Sequence, residues 1–172
     1  MEEKIKLFVN GDVKSPERKY GDAGIDFFVP YKTNRFISDL KEKNPESLRL
    51  VENGIELYPG KDVLIPTYVH SRFSPEWMLR ASNKSGIATK QKLRIGAEIV
   101  DSSYEGIIHM HVFNDGEKVT IIKYGQKLVQ FVPVRVNPDD IVVVYNDETT
   151  LEEFYEGHDT ERGAEGFGHT GI

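Results

Sequence analysis

The amino-acid sequence predicts an all-β domain. Short stretches with apolar residues at every second position recur along the chain, as in Ile5, Leu7 and Val9. Gly, Pro, Asn or Asp residues close these stretches, which is typical of turns between strands. Because no long helical pattern separates the stretches, we expect an antiparallel sandwich, barrel or jelly roll rather than an α/β fold.

The other predicted strands follow this first stretch at short intervals. They lie at residues 24–29, 54–58, 62–66, 77–80, 93–100, 106–114, 118–122, 127–135 and 141–145. Each is a short apolar or alternating segment next to turn residues, which is the pattern that indicates a strand in an antiparallel sheet.

Two segments depart from the strand pattern. Residues 34–52 are highly charged and contain Asn44 followed by Pro45, a typical helix start, so we predict a surface insertion with one helical turn. Residues 146–172 combine glycines with acidic residues and should be mobile unless something orders them. We therefore predict a core of residues 1–145 and a flexible C-terminal arm of residues 146–172.

Composition limits the classes of function. The chain has 172 residues, the size of one domain, and a formal net charge of −6. Since there is no overall basic field, we expect no stable nucleic-acid binding. The lack of cysteine excludes disulfides and thiolate metal sites. Because no segment resembles a signal peptide or a membrane helix, we expect a cytoplasmic location and no membrane association.

The C-terminal residues carry one candidate binding site. Arg162, Phe167 and Thr170 lie among glycines that free the backbone to wrap around an anion. Arginine offers a planar fork to phosphate oxygens, and a phenylalanine ring offers a face to a base. The alternative is an ordinary disordered C-terminus.

A second candidate site lies in the turn after the predicted strand at residues 93–100. Asp101 follows that strand directly and Tyr104 comes three residues later, so a tight turn can direct both side chains into one pocket. The alternatives are a turn aspartate that caps its own backbone and a plain core tyrosine.

Five short motifs, two of which include these residues, occur in order along the chain. They lie at residues 23–26 (AGID), 84–90 (KSGIATK), 101–106 (DSSYEG), 125–130 (GQKLVQ) and 162–171 (RGAEGFGHTG). In this order they resemble the motifs of the trimeric dUTPase family, and the resemblance covers most of the chain. Each motif alone is a weak signal, but five in order at compatible spacing rarely arise by chance.

The resemblance implies a jelly-roll-like fold, a homotrimer with shared active sites, and a C-terminal arm that closes over the substrate. It also implies Mg²⁺-dependent hydrolysis of dUTP to dUMP and pyrophosphate. Asp101 would be the general base that activates water for attack on the α-phosphate. The Tyr104 ring would pack against the deoxyribose and exclude a 2′-hydroxyl.

The resemblance also assigns the base, the phosphates and the metal to particular residues. Uracil would be read by the hairpin backbone around Gly96 and Ile99, and Asp26 would hold the water shell of Mg²⁺. Lys84 stands where the family usually has arginine and would contact a phosphate or a neighbouring subunit. The other implied phosphate and base contacts are Ser85, Gly86, Gln130, Arg162, Phe167, Gly168 and Thr170.

Three alternatives remain open. A dCTP deaminase would share the implied fold and trimer, and Glu98 is the only hairpin glutamate just before Asp101. A regulatory protein could keep the nucleotide pocket and bind a partner through residues 34–52. His109 and His111 could together bind Zn²⁺ from one face of a strand, but no third ligand is identifiable.

Overall fold

Antiparallel strands account for most of the regular structure, and the all-β prediction is confirmed. The computed structural model describes residues 4–11, 13–46, 48–137, 139, 141–145 and 147–157. Its strands are β1 (Lys6–Val9), β2 (Ile25–Phe28), β3 (Arg49–Val51), β4 (Gly54–Leu57), β5 (Asp62–Pro66), β6 (Val69–Arg72), β7 (Trp77–Asn83), β8 (Leu93–Ile95), β9 (Ile99–Val100), β10 (His109–Asn114), β11 (Thr120–Lys123) and β12 (Lys127–Arg135). The helices are α1 (Asn34–Lys43), a short π-helix (Ile87–Gln91) and α2 (Leu151–Phe154).

Within the described residues, the strands form four small antiparallel sheets. Their strand orders are β2-β12-β7-β9, β5-β10-β8, β11-β4-β3 and β1-β6. Side chains from the sheets meet in one hydrophobic cluster that includes Phe27, Ile65, Met110 and Phe131. Each of these four is at most 1% exposed, so the core includes side chains from the four-stranded sheet and from the β5-β10-β8 sheet.

The prediction of one continuous strand at residues 93–100 is wrong. β8 pairs with β10, where Ile95 lies opposite Val112, whereas β9 pairs with β7, where Ile99 lies opposite Arg80. The chain therefore changes sheets between Ile95 and Ile99. The sequence does not reveal this change, because its apolar residues continue to recur through the segment.

The helix within residues 34–52 lies before Asn44 and not after it, so the predicted helix start is wrong. Helix α1 begins after Thr33, whose Oγ1 accepts a hydrogen bond from the Phe36 N–H at 3.1 Å. Asn44 ends the helix, and its side-chain amide donates to the Leu40 carbonyl at 2.8 Å. Pro45 follows, as it often does after a helix end.

Residues 34–52 are also part of the folded core. Phe36 and Leu40 are fully buried, and α1 packs against β5. β3 extends a sheet by pairing with β4. Sequence analysis predicts neither β3 nor β6, because each has only three or four residues and little apolar alternation. The segment is therefore an integral element of the fold and more than a surface insertion.

The chain divides into two compact units, Met1–Pro138 and Asp139–Ile172. In the second unit, the structure has no strand at residues 141–145, so the strand predicted there is wrong. Ile141, Val142 and Val143 are 65–79% exposed, and β-branched residues favour a strand only where a neighbouring strand or a packed face receives them. Helix α2 begins with a capping box between Thr150 and Glu153.

The proposed boundary between a core at residues 1–145 and an arm at residues 146–172 stays a prediction.

In the parts of the chain that the structure describes, no helix has the length and apolar character needed to cross a membrane.

Candidate active site

The hairpin between β8 and β10 forms one wall of a cavity of about 200 Å³. The cavity is lined by Leu64, residues 97–101, Tyr104, Ile108, His109 and Phe131. Ile99, Asp101 and Tyr104, which the family resemblance assigns to substrate binding or catalysis, thus share one cavity.

Asp101 and Tyr104 are held on one tight turn. The Tyr104 N–H donates to the Asp101 carbonyl oxygen at 3.2 Å, and the Tyr104 hydroxyl donates to the Ile107 carbonyl at 2.9 Å. Gly106 makes room for the tyrosine, since a Cβ there would lie 2.4 Å from Tyr104 Oη. Asp101 is solvent-exposed. The turn therefore presents an accessible carboxylate beside an aromatic ring.

His109 lines the same cavity, and sequence reasoning considered it only as a zinc ligand. Its Nε2 atom is buried and has no hydrogen-bond partner among the described residues. Burial lowers the pKa of the His109 imidazole, although a hydrogen bond with the Ile107 backbone partly opposes this effect. The cavity therefore favours the neutral imidazole. The sequence contained one signal that His109 could line a cavity. Strand alternation places His109 on the partly exposed face of β10.

The lowered pKa of His109 predicts an acid-sensitive fold. The unfolded chain binds a proton at His109 at a higher pH than the folded protein does, so the free energy of unfolding should fall as pH drops through the ordinary histidine value of 6.5. The loss should level off below the folded-state pKa. Urea unfolding from neutral to mildly acidic pH measures this dependence. His109→Gln should flatten it, and an unchanged slope in that variant would contradict the assignment.

His111 does not join His109 in a zinc site. Its Nδ1 accepts a hydrogen bond from the Ala97 N–H at 3.1 Å, and its Nε2 lies 3.0 Å from Asp62 Oδ2. Both ring nitrogens are therefore engaged by protein groups. Among the residues that the structure describes, no cluster of three or more His, Cys, Asp or Glu side chains could hold a metal ion. The geometry does not support the zinc alternative.

A second group of predicted residues meets across β2, β12 and the end of β7. Lys84, Ser85, Gly86, Ile87, Lys127 and Gln130 line a cavity of about 250 Å³. Asp26 lies opposite Gln130 in the β2–β12 register. The Gln130 side-chain amide donates to the Asn83 carbonyl at 3.0 Å, which fixes its orientation. The structure thus brings together Asp26, Lys84, Ser85, Gly86 and Gln130.

Lys127 is a member of this group that sequence reasoning missed, although it lies inside the 125–130 motif. The β2–β12 register shifts between Lys127 and Val129, so an irregularity in the strand changes which face Lys127 presents. Its ammonium lies 3.2 Å from both Asp26 Oδ2 and Glu17 Oε2. The strict alternation assumed for a predicted strand would not place Lys127 and Gln130 on the same side.

Asp26 is held between two ammonium groups, because Lys84 also forms an ion pair with it. Partial burial raises the pKa of Asp26, but hydrogen bonds from Lys84 and Lys127 outweigh this effect and leave the pKa below its ordinary value. The same contacts with Asp26 and Glu17 raise the pKa of Lys127. The site therefore contains an ionised carboxylate and two cationic side chains beside Ser85 and Gln130.

The two cavities are separate in one copy of the chain. Gln130 lines the Lys84 cavity and Phe131 lines the Asp101 cavity, and no described residue lines both. One copy therefore presents Asp101 and Gln130 in different cavities.

The remaining predicted contacts are placed as follows. Gly96 lies beneath the His111 ring and is absent from the cavity lining, since a Cβ there would lie 2.3 Å from His111 Nδ1. Arg162, Phe167, Gly168 and Thr170 lie outside the described residues.

Comparisons with known proteins point to one family. The family model for dUTPase matches residues 50–171. A deoxyuridine 5′-triphosphate nucleotidohydrolase of Candida albicans is 30% identical over 144 residues, which cover 79% of this chain and 86% of that protein. The protein of that name from Caldanaerobacter subterraneus subsp. tengcongensis is 33% identical over 124 residues, covering 71% and 77%.

Solved dUTPase structures share the fold. A Staphylococcus bacteriophage 80alpha dUTPase variant with dUpNHpp has a TM-score of 0.66 at 18% identity, covering 98% of this chain and 99% of that chain. The native EIAV dUTPase has a TM-score of 0.61 at 23% identity, covering 85% and 100%. The two structures support the fold alone, whereas the matched family model extends over most of the sequence. This chain belongs to the dUTPase family.

Proposed function

We propose that this protein hydrolyses dUTP to dUMP and pyrophosphate, with Asp101 as the general base. The observation that carries the proposal is the placement of Asp101, Tyr104 and Ile99 around one cavity on a hairpin. An exposed carboxylate at the cavity edge can reach a water molecule beside a bound nucleotide. Family membership supports dUTP as the substrate.

The chemistry requires one proton transfer and one displacement. Asp101 removes a proton from water as the oxygen attacks the α-phosphorus, and the bond between the α-phosphorus and the bridging oxygen breaks. Pyrophosphate leaves with the electron pair. Lys84, Lys127, Ser85 and Gln130 offer cationic and hydrogen-bonding groups that can stabilise the negative charge developing on the phosphates.

Discrimination between nucleotides would come from the walls of the Asp101 cavity. The Tyr104 ring, fixed by its hydroxyl bond to Ile107, would lie against the deoxyribose and leave no space for a 2′-hydroxyl. Steric exclusion of one hydroxyl supplies a preference of about 10²-fold for dUTP over UTP. Ile99 would present its backbone to uracil at the other side of the cavity.

Mg²⁺ is the cofactor that we propose. Mg²⁺ keeps several waters and takes further ligands from substrate phosphates, so one ionised carboxylate near the phosphates suits it better than a cage of protein ligands. Asp26, whose pKa is lowered, fits that requirement. Asp26 would orient the metal's water shell, and the bound ion would neutralise charge on the triphosphate.

We propose a homotrimer in which two subunits contribute to each site. The Asp101 cavity and the Lys84 cavity are separate in one copy of the chain and share no described lining residue, so a complete site must bring one of each to the same dUTP molecule. A second copy placed in a cyclic arrangement can do so, and threefold symmetry then generates three equal sites. The C-terminal arm would complete each site, with Arg162 and Thr170 on phosphates, Phe167 stacked on uracil, and Gly168 offering its amide.

The reaction is tested by following pyrophosphate release from dUTP, dCTP, dTTP and UTP, with and without Mg²⁺. We expect fast turnover of dUTP alone, and only with the metal. Ammonia release from dCTP without pyrophosphate would instead identify a deaminase. Glu98, the glutamate that a deaminase would need, lines the Asp101 cavity and pairs with Arg80 Nη2 at 2.9 Å, so this measurement decides between the two reactions.

Subunit sharing is tested by mixing two inactive variants. Asp101→Asn removes the base, and the double variant Ser85→Ala/Gln130→Ala removes two phosphate contacts. If each site takes these parts from different subunits, random 1:1 assembly restores about a quarter of the sites. If each site lies within one subunit, no subunit in the mixture carries both intact parts, and activity stays at the level of the separate variants.

Gly86 offers a test of the phosphate contacts that does not disturb the fold. A Cβ added at Gly86 would meet no atom within 4 Å, and its φ lies outside the left-handed region, so alanine fits the folded chain. The same Cβ would displace a phosphate held against the Gly86 amide. We expect Gly86→Ala to lower kcat/KM for dUTP by about 10²-fold with the melting temperature unchanged. Full activity would place the phosphates elsewhere.

Partner binding through residues 34–52, a cytoplasmic location and the absence of nucleic-acid binding stay predictions. Deleting residues 34–52 would remove the buried Phe36 and Leu40, so a deletion would not isolate partner binding. A charge reversal at Lys41 should preserve hydrolysis while altering the exposed face of α1.

A further inference from the structure

We propose that His111 is a positioning residue that holds the base-binding hairpin at the point where the chain changes sheets. The inference rests on the proposed function of the Asp101 cavity. No sequence motif described above includes His111, and His111 does not line the cavity itself. It acts through the backbone of the neighbouring hairpin residues.

The His111 ring takes the place of a backbone hydrogen-bond acceptor where the chain leaves the sheet. Ladder pairing between β8 and β10 ends at Ile95, and pairing between β9 and β7 begins at Ile99. In between, the Gly96 N–H donates to the His111 carbonyl at 2.8 Å. The next amide, of Ala97, donates to His111 Nδ1 at 3.1 Å. The imidazole thus accepts the hydrogen bond of a residue that is leaving the sheet.

The neighbours of His111 specify its tautomer and its orientation. Because Nδ1 accepts from Ala97, the ring proton lies on Nε2, which faces Asp62 Oδ2 at 3.0 Å. Asp62 is the first residue of β5 and lies one strand away. The ring also packs against Phe113, with centroids 4.8 Å apart. A carboxylate behind an imidazole commonly fixes which nitrogen carries the proton.

Gly96 has a physical role in the same arrangement. A Cβ at Gly96 would lie 2.3 Å from His111 Nδ1 and 2.6 Å from a Phe113 ring carbon, so any larger residue displaces the imidazole. The glycine that the family resemblance assigned to uracil recognition therefore allows the imidazole to approach the hairpin backbone.

The residues that follow this anchor form the cavity wall. Ala97 to Asp101 all line the cavity, so the position of the Ala97 amide sets where that wall begins. The base lies far from the phosphorus that reacts, and contacts to it stabilise the bound substrate and the transition state equally. Losing such contacts raises KM and leaves kcat nearly unchanged.

The kinetic test compares His111→Leu with His111→Asn. Leucine keeps bulk but cannot accept the Ala97 hydrogen bond, whereas the asparagine Oδ1 can take the place of Nδ1. We expect His111→Leu to raise KM for dUTP by about five- to tenfold with little change in kcat. His111→Asn should restore most of the affinity. Equal KM values for the wild type and His111→Leu, or equal loss in both variants, would overturn the proposal.

A spectroscopic test on the wild-type protein decides the same point without any variant or substrate. Nitrogen-15 NMR of the histidine ring should show His111 as the Nε2–H tautomer, with the Ala97 amide protected from hydrogen exchange. The Nδ1–H tautomer would overturn the proposal even if dUTP were turned over normally. Conversely, failure of the wild type to hydrolyse dUTP would defeat the proposed function while leaving the tautomer result to decide the role of His111.

Discussion

Replacing Asp101 with asparagine is expected to lower kcat for dUTP hydrolysis by about 10²- to 10⁴-fold, the contribution typical of a positioned general base. Asparagine keeps the shape of the side chain but cannot take a proton from water. Asp101 is exposed, and the turn is held by backbone and tyrosine hydrogen bonds that do not use its carboxylate. The fold should therefore be unaffected.

The measurement is pyrophosphate release under saturating dUTP, together with the affinity for dUpNHpp. Glu105→Gln is the matched control, because Glu105 is an exposed carboxylate on the same turn but is absent from the cavity lining. Substrate affinity should persist in Asp101→Asn, and Glu105→Gln should behave as the wild type. Unchanged kcat in Asp101→Asn would remove Asp101 from the mechanism.

Replacing Asn44 with alanine is expected to destabilise the fold, because this buried side chain joins α1 to β5. Its amide nitrogen donates to the Leu64 carbonyl at 2.9 Å, and its oxygen accepts from the Leu64 N–H at 2.8 Å. Loss of both partners should lower the free energy of unfolding by about 2–6 kcal/mol, at about 1–3 kcal/mol for each of the two Leu64 groups left unpaired.

Urea unfolding measures this loss, with Lys41→Ala as an exposed control on the same helix. Leu64 lines the Asp101 cavity, so the Asn44 variant should also weaken dUTP binding when it remains folded. An Asn44→Ala protein as stable as the Lys41→Ala control would show that water satisfies the Leu64 groups and that α1 is not held in this way.

Local features of the sequence were enough to predict the fold class and several site residues. Strand alternation depends only on neighbouring residues, so β2, β4, β5, β10 and β12 were predicted near their observed positions. The turn at Asp101 and Tyr104 was predicted for the same reason, because a turn of four residues brings its own side chains together. The order of the five motifs indicated the family.

Features that depend on contacts distant in sequence were not predicted. Asn44 and Pro45 are equally typical of a helix start and of a helix end, and the apolar face of α1 that packs against β5 decided between them. Ile141 to Tyr145 have strand-forming side chains but pair with no strand of the described residues, so propensity alone misled the prediction.

The residues of the candidate site show the same difference between local features, which the sequence predicts, and features that depend on distant contacts. The sequence by itself determined that Asp26, Lys84, Ser85, Gly86, Asp101, Tyr104 and Gln130 belong to one family pattern. Only the tertiary structure decided that Lys127 joins Asp26, that His109 lines the Asp101 cavity, and that His111 holds the Ala97 amide. The physical reason is that a strand irregularity and a change of sheets arise from pairing between strands. A linear pattern of residues records none of these pairings.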